Sequence, residues 1–217
     1  MKRFVVIGLG NFGKNVARSL YVEGHEVLAI DASLKKIEKI KNDVTDALAA
    51  DATDEAIMRE FVGDSADAAI ISLGENMEAS ILATLYLREL GIKKIIVKAL
   101  NESHAKVLER LGASETIFPE KEAGIRLSQR LSVPNLIEHI PLAPDFSISQ
   151  IETPENFVGK TLKELQLPTK YGIQVIAIKD VLSDEFYVIP GAEFRIMPDS
   201  ALLVIGKSDD LSRLRIK

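Results

Sequence analysis

Short apolar segments alternate with helical stretches along the first half of the chain, and this alternation restricts the fold more than any other feature. Each segment has four to seven residues rich in β-branched or small apolar side chains, which is too short for a buried helix and typical of a core strand. The predicted strands are residues 3–8, 26–30, 46–50, 67–73, 93–99 and 115–118. Strict alternation of strand and helix over about six units predicts an α/β fold with a doubly wound parallel sheet.

The segment GLGNFG at residues 8–13 follows the first predicted strand directly and leads into a predicted helix. Gly8 permits a tight turn, Gly10 lets a phosphate approach the backbone, and Gly13 lets the helix pack on the strand. Asp31 ends the second strand, where a carboxylate accepts hydrogen bonds from ribose hydroxyls and repels a ribose 2′-phosphate. Together these features predict a Rossmann-like nucleotide site, in which backbone N–H groups and the helix dipole hold the phosphate.

Later strands of a doubly wound sheet add contacts at their carboxyl ends, where the strand order reverses. Lys98 ends the fifth strand, where its ammonium would reach phosphate oxygens; an ion pair with a neighbouring carboxylate is the alternative. The base is expected near residues 51–53, which follow the third strand. The predicted nucleotide-binding residues are Gly8, Leu9, Gly10, Asn11, Phe12, Gly13, Asp31, Ala32, Lys36, Asp51, Ala52, Thr53, Ser72, Leu73, Gly74 and Lys98.

Composition excludes several classes of function. A net charge of −5 argues against nucleic-acid binding, and the absence of cysteine excludes disulfides and thiolate chemistry. The histidines His25, His104 and His139 stand in no catalytic or metal-ligand motif and are predicted to be surface or capping residues, the last two on helices. No run is long enough to cross a bilayer and the start of the chain does not read as a signal peptide, so we expect a cytosolic protein.

Two classes of function remain for a nucleotide site of this kind, a ligand-sensing regulatory protein and an NAD(H)-dependent oxidoreductase. The oxidoreductase would need an acid/base group and a substrate anchor on a further domain. The last 73 residues contain no histidine, and Arg195 is their only arginine before the final few positions. The sequence therefore favours a protein that is not an enzyme.

The chain after residue 118 is organised differently. We expect a nucleotide-binding domain at 1–118, crossover helices and a linker at 119–144, and a small α+β domain at 145–217 in which strands dominate. The crossover helices are predicted at 119–132 and 134–140. They carry more apolar surface than a linker needs, on Ile125, Leu127, Leu131, Val133, Leu136, Ile137 and Ile140, and this surface predicts contact with a second subunit.

Several further segments, read together with the glycine loop, resemble the regulator-of-K⁺-conductance family (RCK, also KTN or TrkA-type), and within it the KtrA-type branch. The resemblance covers nearly the whole chain. It rests on ADAT (50–53), GENMEAS (74–80), VKALNESHAKVLERLGA (97–113), FPEKEAGIRLSQRL (118–131), KYG (170–172) and IQVIAIK (173–179).

The resemblance implies a cytosolic regulatory subunit that senses an adenine nucleotide (ATP, ADP, AMP or NAD(H)) and gates K⁺ flux. It also implies homodimers that assemble into rings, usually octamers, and dock on the cytoplasmic face of a membrane-embedded K⁺-translocating subunit. The small C-terminal domain (RCK_C/TrkA_C) would serve dimerisation, and in some members it binds cyclic di-AMP. Glu120 matches a position at a nucleotide and divalent-cation site between subunits; a first-turn carboxylate favoured by the helix dipole is the alternative.

Two positions depart from the family pattern. Asn11 stands where KtrA-type loops often carry an arginine that holds the terminal phosphate of ATP, so the choice among these nucleotides stays open. Pro168 replaces the family's arginine shortly before KYG, which bears on the recognition of cyclic di-AMP.

Overall fold

The computed structural model describes residues 1–132, 136–207 and 209–211. The chain divides into two compact units, Met1–Lys121 and Glu122–Lys217.

The first unit is built on a six-stranded sheet in which all paired strands run parallel. Its order, β3-β2-β1-β4-β5-β6, reverses direction between β1 and β4. Both the α/β prediction and the six strand predictions are confirmed. The strands are β1 (Arg3–Ile7), β2 (Glu26–Asp31), β3 (Asp46–Ala49), β4 (Ala68–Ile71), β5 (Ile95–Lys98) and β6 (Glu115–Ile117).

Helices cover both faces of this sheet. Successive strand residues point to opposite faces, so Val5 and Ile7 enter one apolar cluster while Val6 enters the other. The first two helices pack into the cluster around Val6, and the next three into the cluster around Ile7. The helices are α1 (Asn11–Val22), α2 (Leu34–Ile40), α3 (Glu55–Phe61), α4 (Met77–Glu89) and α5 (Glu102–Leu111).

Three of these helices begin at a residue whose side chain caps the helix, close to the carboxyl edge of the sheet. Asp54, Asn76 and Asn101 each accept a hydrogen bond from a backbone N–H two or three residues further along. These caps set where α3, α4 and α5 start, and so they position the turns that follow β3, β4 and β5.

The second unit holds a five-stranded antiparallel sheet of order β10-β9-β11-β8-β7. Helix α6 (Pro119–Ser132) begins in the first unit and continues into the second. The strands are β7 (Leu136–Ala143), β8 (Phe146–Glu152), β9 (Ile173–Asp180), β10 (Phe186–Val188) and β11 (Ser200–Lys207). Between β8 and β9 lie a 3₁₀ helix (Glu155–Phe157) and two short α-helices, α7 (Leu162–Leu165) and α8 (Leu167–Tyr171). The α+β fold predicted for the C-terminal part of the chain is thus confirmed, and its sheet also includes β7.

The predicted helix at 134–140 is wrong over the residues that the structure describes there. Leu136–Ala143 forms strand β7, which pairs with β8 from Leu136 opposite Ile151 to Ala143 opposite Phe146. Pro141 is tolerated because β7 is an edge strand and its register shifts there. Val133 and the start of the predicted helix lie outside the described residues.

Where the structure describes helices, none combines the length and the apolar character needed to span a membrane.

Candidate functional site

The turn after β1 is packed so closely that its first residue must be glycine. Gly8 has a φ of +90°, and a Cβ placed on it would lie 2.2 Å from the backbone oxygen of Ser72. The Gly8 N–H donates to the Ile30 carbonyl at 2.7 Å, and the Ser72 N–H donates to the Ile7 carbonyl at 2.7 Å. The glycine turn is therefore held between the carboxyl ends of β2 and β4.

The other two glycines of the loop have opposite surroundings. A Cβ on Gly13 would lie 2.0 Å from the Gly8 carbonyl oxygen, so Gly13 lets α1 pack against the turn. A Cβ on Gly10 would meet no atom of the described residues within 4 Å. Gly10 is also the N-cap of α1, which has no side-chain cap and no acidic residue in its first turn. The start of α1 thus offers backbone N–H groups and the positive end of its dipole beside open space.

Asp31 lies buried at the end of β2 and ties the glycine loop to the next turn. Its Oδ2 accepts hydrogen bonds from the Leu9 N–H at 2.7 Å and the Lys36 ammonium at 2.8 Å, and its Oδ1 accepts one from the Ser33 N–H at 2.9 Å. Burial raises the pKa of Asp31, but the hydrogen bonds from Lys36, Leu9 and Ser33 outweigh it and hold the pKa below its ordinary value. Asp31 is therefore charged at neutral pH.

These groups surround a cavity of about 360 Å³ at the carboxyl edge of the parallel sheet, where the strand order reverses. That volume and position suit a small-molecule site on an open α/β sheet. The lining residues are Gly8, Gly10, Asn11, Phe12, Asp31, Ala32, Lys36, Ser72, Leu73, Gly74, Lys98 and Glu120.

Lys98 forms an ion pair with Glu120 on the wall of this cavity. Lys98 ends β5 with its side chain mostly buried, whereas Glu120, in the first turn of α6, is 72% exposed. The hydrogen bond from Lys98 holds the pKa of Glu120 below its ordinary value. The alternative considered for Lys98, an ion pair with a neighbouring carboxylate, is present, and Lys98 also faces the space predicted to hold phosphates.

Some predicted binding residues do not line the cavity. Leu9 is buried and contributes its N–H to Asp31, and Gly13 supports the turn from behind. Asp51 is exposed and accepts hydrogen bonds from the Thr53 N–H and hydroxyl at 2.9 and 2.8 Å, closing a local turn. Residues 51–53 are thus not brought into the cavity with the others.

The structure offers little to a metal ion. Within the described residues, no three histidine, aspartate or glutamate side chains come together to hold one. Glu120 is already paired with Lys98. A cation at Glu120 would therefore need ligands from the nucleotide or from a second chain.

His104 is buried, so the prediction of a surface residue is wrong, whereas its contact with the backbone just before the N-cap of α5 agrees with the capping alternative. Its Nδ1 accepts a hydrogen bond from the Leu100 N–H at 3.3 Å, and its Nε2 lies 2.9 Å from the Ser80 hydroxyl, which itself donates to the Met77 carbonyl. The proton of the neutral ring is therefore on Nε2. The ring joins α4 and α5 behind the turns that follow β4 and β5. His139, also predicted on a helix, lies on strand β7.

His104 should make the protein less stable as the pH is lowered. Burial lowers the pKa of His104 from its ordinary value of 6.5, so below that pH the unfolded chain takes up a proton that the folded chain does not. The free energy of unfolding should decrease as the pH falls below 6.5. A His104→Gln variant, which keeps an N–H for Ser80 but does not titrate, should lose less stability over this range.

The measurement is urea unfolding of the natural protein and of the His104→Gln variant between about pH 7.5 and about pH 5.5. Both proteins have the same carboxylates, which titrate at lower pH and therefore affect the two pH profiles equally. Parallel pH profiles for the two chains would contradict this account of the histidine.

Comparisons with known proteins agree with this geometry. Residues 4–119 match the TrkA-N domain family, and residues 148–215 match the TrkA-C domain family. Two relatives from Bacillus subtilis (strain 168) are similar over 212 residues: Ktr system potassium uptake protein C at 37% identity and Ktr system potassium uptake protein A at 36%. Each alignment covers 98% of this chain and 95% of the relative.

The fold also occurs in a solved channel structure. The GsuK channel bound to NAD matches with a TM-score of 0.66 at 18% sequence identity, over 98% of this chain and 38% of that longer chain. At that identity the likeness concerns the fold alone.

Proposed function

Since the chain belongs to the family of proteins that combine a TrkA-N with a TrkA-C domain, we propose that it is a subunit that senses an adenine nucleotide and thereby controls K⁺ flux. A regulatory role in potassium transport is what this family membership supports. The proposal also covers which nucleotide binds, how the subunits assemble and which membrane protein they contact.

The observation that carries the proposal is the open space over Gly10 at the start of α1, in a cavity with Asp31 on one side and Lys98 on the other. Phosphates of an adenine nucleotide would bind the uncapped N–H groups of α1 and the Lys98 ammonium. The ribose would lie toward Asp31. Asn11, at the first turn of α1, carries no charge, so we expect ATP, ADP, AMP and NAD(H) to be distinguished less sharply than by an arginine in the same place.

The charges on the cavity wall suit binding better than catalysis. Its titratable side chains form two ion pairs, Asp31 with Lys36 and Lys98 with Glu120. The pKa of each of these carboxylates is held below its ordinary value. An acid/base group for hydride transfer works best with a pKa near neutrality, so we propose a sensor rather than an oxidoreductase.

Helix α6 supports assembly of more than one chain. Ile125, Leu127 and Leu131 are 48%, 46% and 76% exposed on this helix. Exposed apolar residues grouped on one helix are typical of an interface between copies. We therefore place the dimer contact on α6, with dimers assembling into a ring, an octamer by family resemblance, that docks on a membrane-embedded K⁺-translocating subunit.

Cyclic di-AMP is not part of the proposal. Pro168 lies in the first turn of α8 and stands in place of the arginine that the resemblance would provide for that ligand. A proline provides no positive charge for a phosphate.

The test is calorimetric titration of the full chain with AMP, ADP, ATP, NAD⁺ and NADH, with light scattering of the same samples. We expect at least one nucleotide to bind and the protein to be larger than a monomer. In cells that carry a Ktr-type membrane subunit and lack its regulator, this chain should restore K⁺ uptake. The proposal fails if none of these nucleotides binds, or if the protein stays monomeric with and without them.

A further inference from the structure

Lys36 changes what the ribose end of the cavity can accept. It lies on α2, lines the cavity, and donates from its ammonium to Asp31 Oδ2 at 2.8 Å. The sequence alone predicts that Asp31 rejects a ribose 2′-phosphate, as a bare carboxylate would. In the structure the carboxylate is not bare.

The hydrogen bonds already made by Asp31 limit how a ribose can bind. Each carboxylate oxygen has about two acceptor sites. Oδ2 uses both, for the Leu9 N–H and Lys36, whereas Oδ1 uses one, for the Ser33 N–H. A ribose with two free hydroxyls therefore finds one open acceptor on Asp31 unless Lys36 moves away.

Lys36 is the partner that can move. Its side chain is 48% exposed, whereas the side chain of Asp31 is 8% exposed and is also held by two backbone N–H groups. A phosphate on the ribose would meet an ion pair with no net charge, and the ammonium could turn from the carboxylate to the phosphate. Charge-assisted hydrogen bonds of this kind are among the stronger ones in proteins.

We propose that Lys36 determines ribose specificity at this site and lets it accept adenosine nucleotides that carry a phosphate on the ribose 2′-oxygen. This inference rests on the proposed nucleotide site and extends its ligand class to 2′-phosphorylated adenosine. The unmodified ribose and the 2′-phosphorylated ribose then bind with similar affinity, the first to Asp31 and the second to Lys36.

The test compares AMP with adenosine 2′,5′-bisphosphate, and NAD⁺ with NADP⁺, by calorimetry on the full chain. The variants are Lys36→Met and, as a matched control on the same helix, Lys39→Met, which removes an exposed lysine that does not line the cavity. For the natural protein we expect the two members of each pair to bind within about tenfold of each other.

Lys36→Met should lower the affinity for the 2′-phosphorylated member at least about tenfold, through loss of a charge-assisted hydrogen bond and exposure of the Asp31 charge. The affinity for AMP should rise, because an acceptor site on Asp31 becomes free for the ribose. Lys39→Met should change neither.

Three results would overturn the inference. In the natural protein, strong rejection of the 2′-phosphorylated members would do so. An equal loss for both members in Lys36→Met would make Lys36 a structural residue only, and unchanged affinities for both members would remove it from specificity. If no unmodified nucleotide binds the natural protein, the proposed function itself fails, which is a separate outcome.

Discussion

Alanine in place of Gly13 is expected to destabilise the first unit by about 3 kcal/mol or more, the upper range for forcing an extra methyl into a packed site. The added Cβ would lie 2.0 Å from the Gly8 carbonyl oxygen, which is backbone and cannot rotate away as a side chain would. Relief requires α1 to move off the turn between β1 and α1. Urea unfolding followed by circular dichroism measures the loss.

Gly10→Ala is the matched control, since it makes the same chemical change three residues earlier in the loop. In the part of the chain that the structure describes, no atom lies within 4 Å of its added Cβ, and Gly10 has an extended backbone that alanine also adopts. We expect it to cost less than about 1 kcal/mol, as a change of N-cap residue. Its methyl group would occupy the space proposed for the phosphate, so nucleotide binding should fall sharply although the fold persists.

For each of these two variants, the opposite outcome would contradict the reason given for its expected effect. A Gly13→Ala chain as stable as the natural protein would mean that the close approach of α1 to the turn is not required. A Gly10→Ala chain that binds nucleotide as well as the natural protein would place the phosphate elsewhere.

Asp31→Ala is expected to weaken adenine-nucleotide binding by about 1–3 kcal/mol, the range for leaving a charge-assisted hydrogen bond unmade. The ribose loses its acceptor, and the buried Leu9 N–H loses its partner, which loosens the glycine loop. Calorimetry with the nucleotide that binds the natural protein best provides the measurement.

Asp51→Ala is the control for Asp31→Ala. Asp51 is an exposed carboxylate that follows the neighbouring strand β3 and does not line the cavity. Its removal should leave the affinity unchanged. A loss at Asp51 equal to that at Asp31 would support the original prediction that the base lies near residues 51–53, and unchanged affinity in Asp31→Ala would refute the ribose assignment.

Much of the first unit could be predicted because its signals are local. Apolar segments such as residues 5–7 and 68–71 lie buried on both faces, so they are recognised as strands without knowledge of their neighbours. The glycine loop and Asp31 belong to one strand–helix–strand unit, and their roles depend on spacing within it. Local sequence was therefore sufficient for the order of elements and for the position of the cavity.

Residues 134–140 show where local signals fail. An apolar stretch of this length between two breaks is compatible with a helix or a strand. Pairing of Leu136–Ala143 with β8 decides for the strand, since the backbone groups of β7 that face β8 are paired across the sheet. His104 is a similar case, because its burial depends on Ser80 and α4 rather than on its own neighbours in sequence.

By itself, the sequence determined the alternating fold of the first unit, the strand-rich second unit and the carboxyl edge at which a nucleotide would bind. These features depend on hydrophobic periodicity and glycine spacing, which are properties of a few consecutive residues. Only the tertiary structure decided which charges meet at that edge. Lys98 and Glu120 are 22 positions apart, and Lys36 reaches Asp31 from a different element. Ion pairs depend on the distance between side-chain ends, and packing of the chain sets that distance.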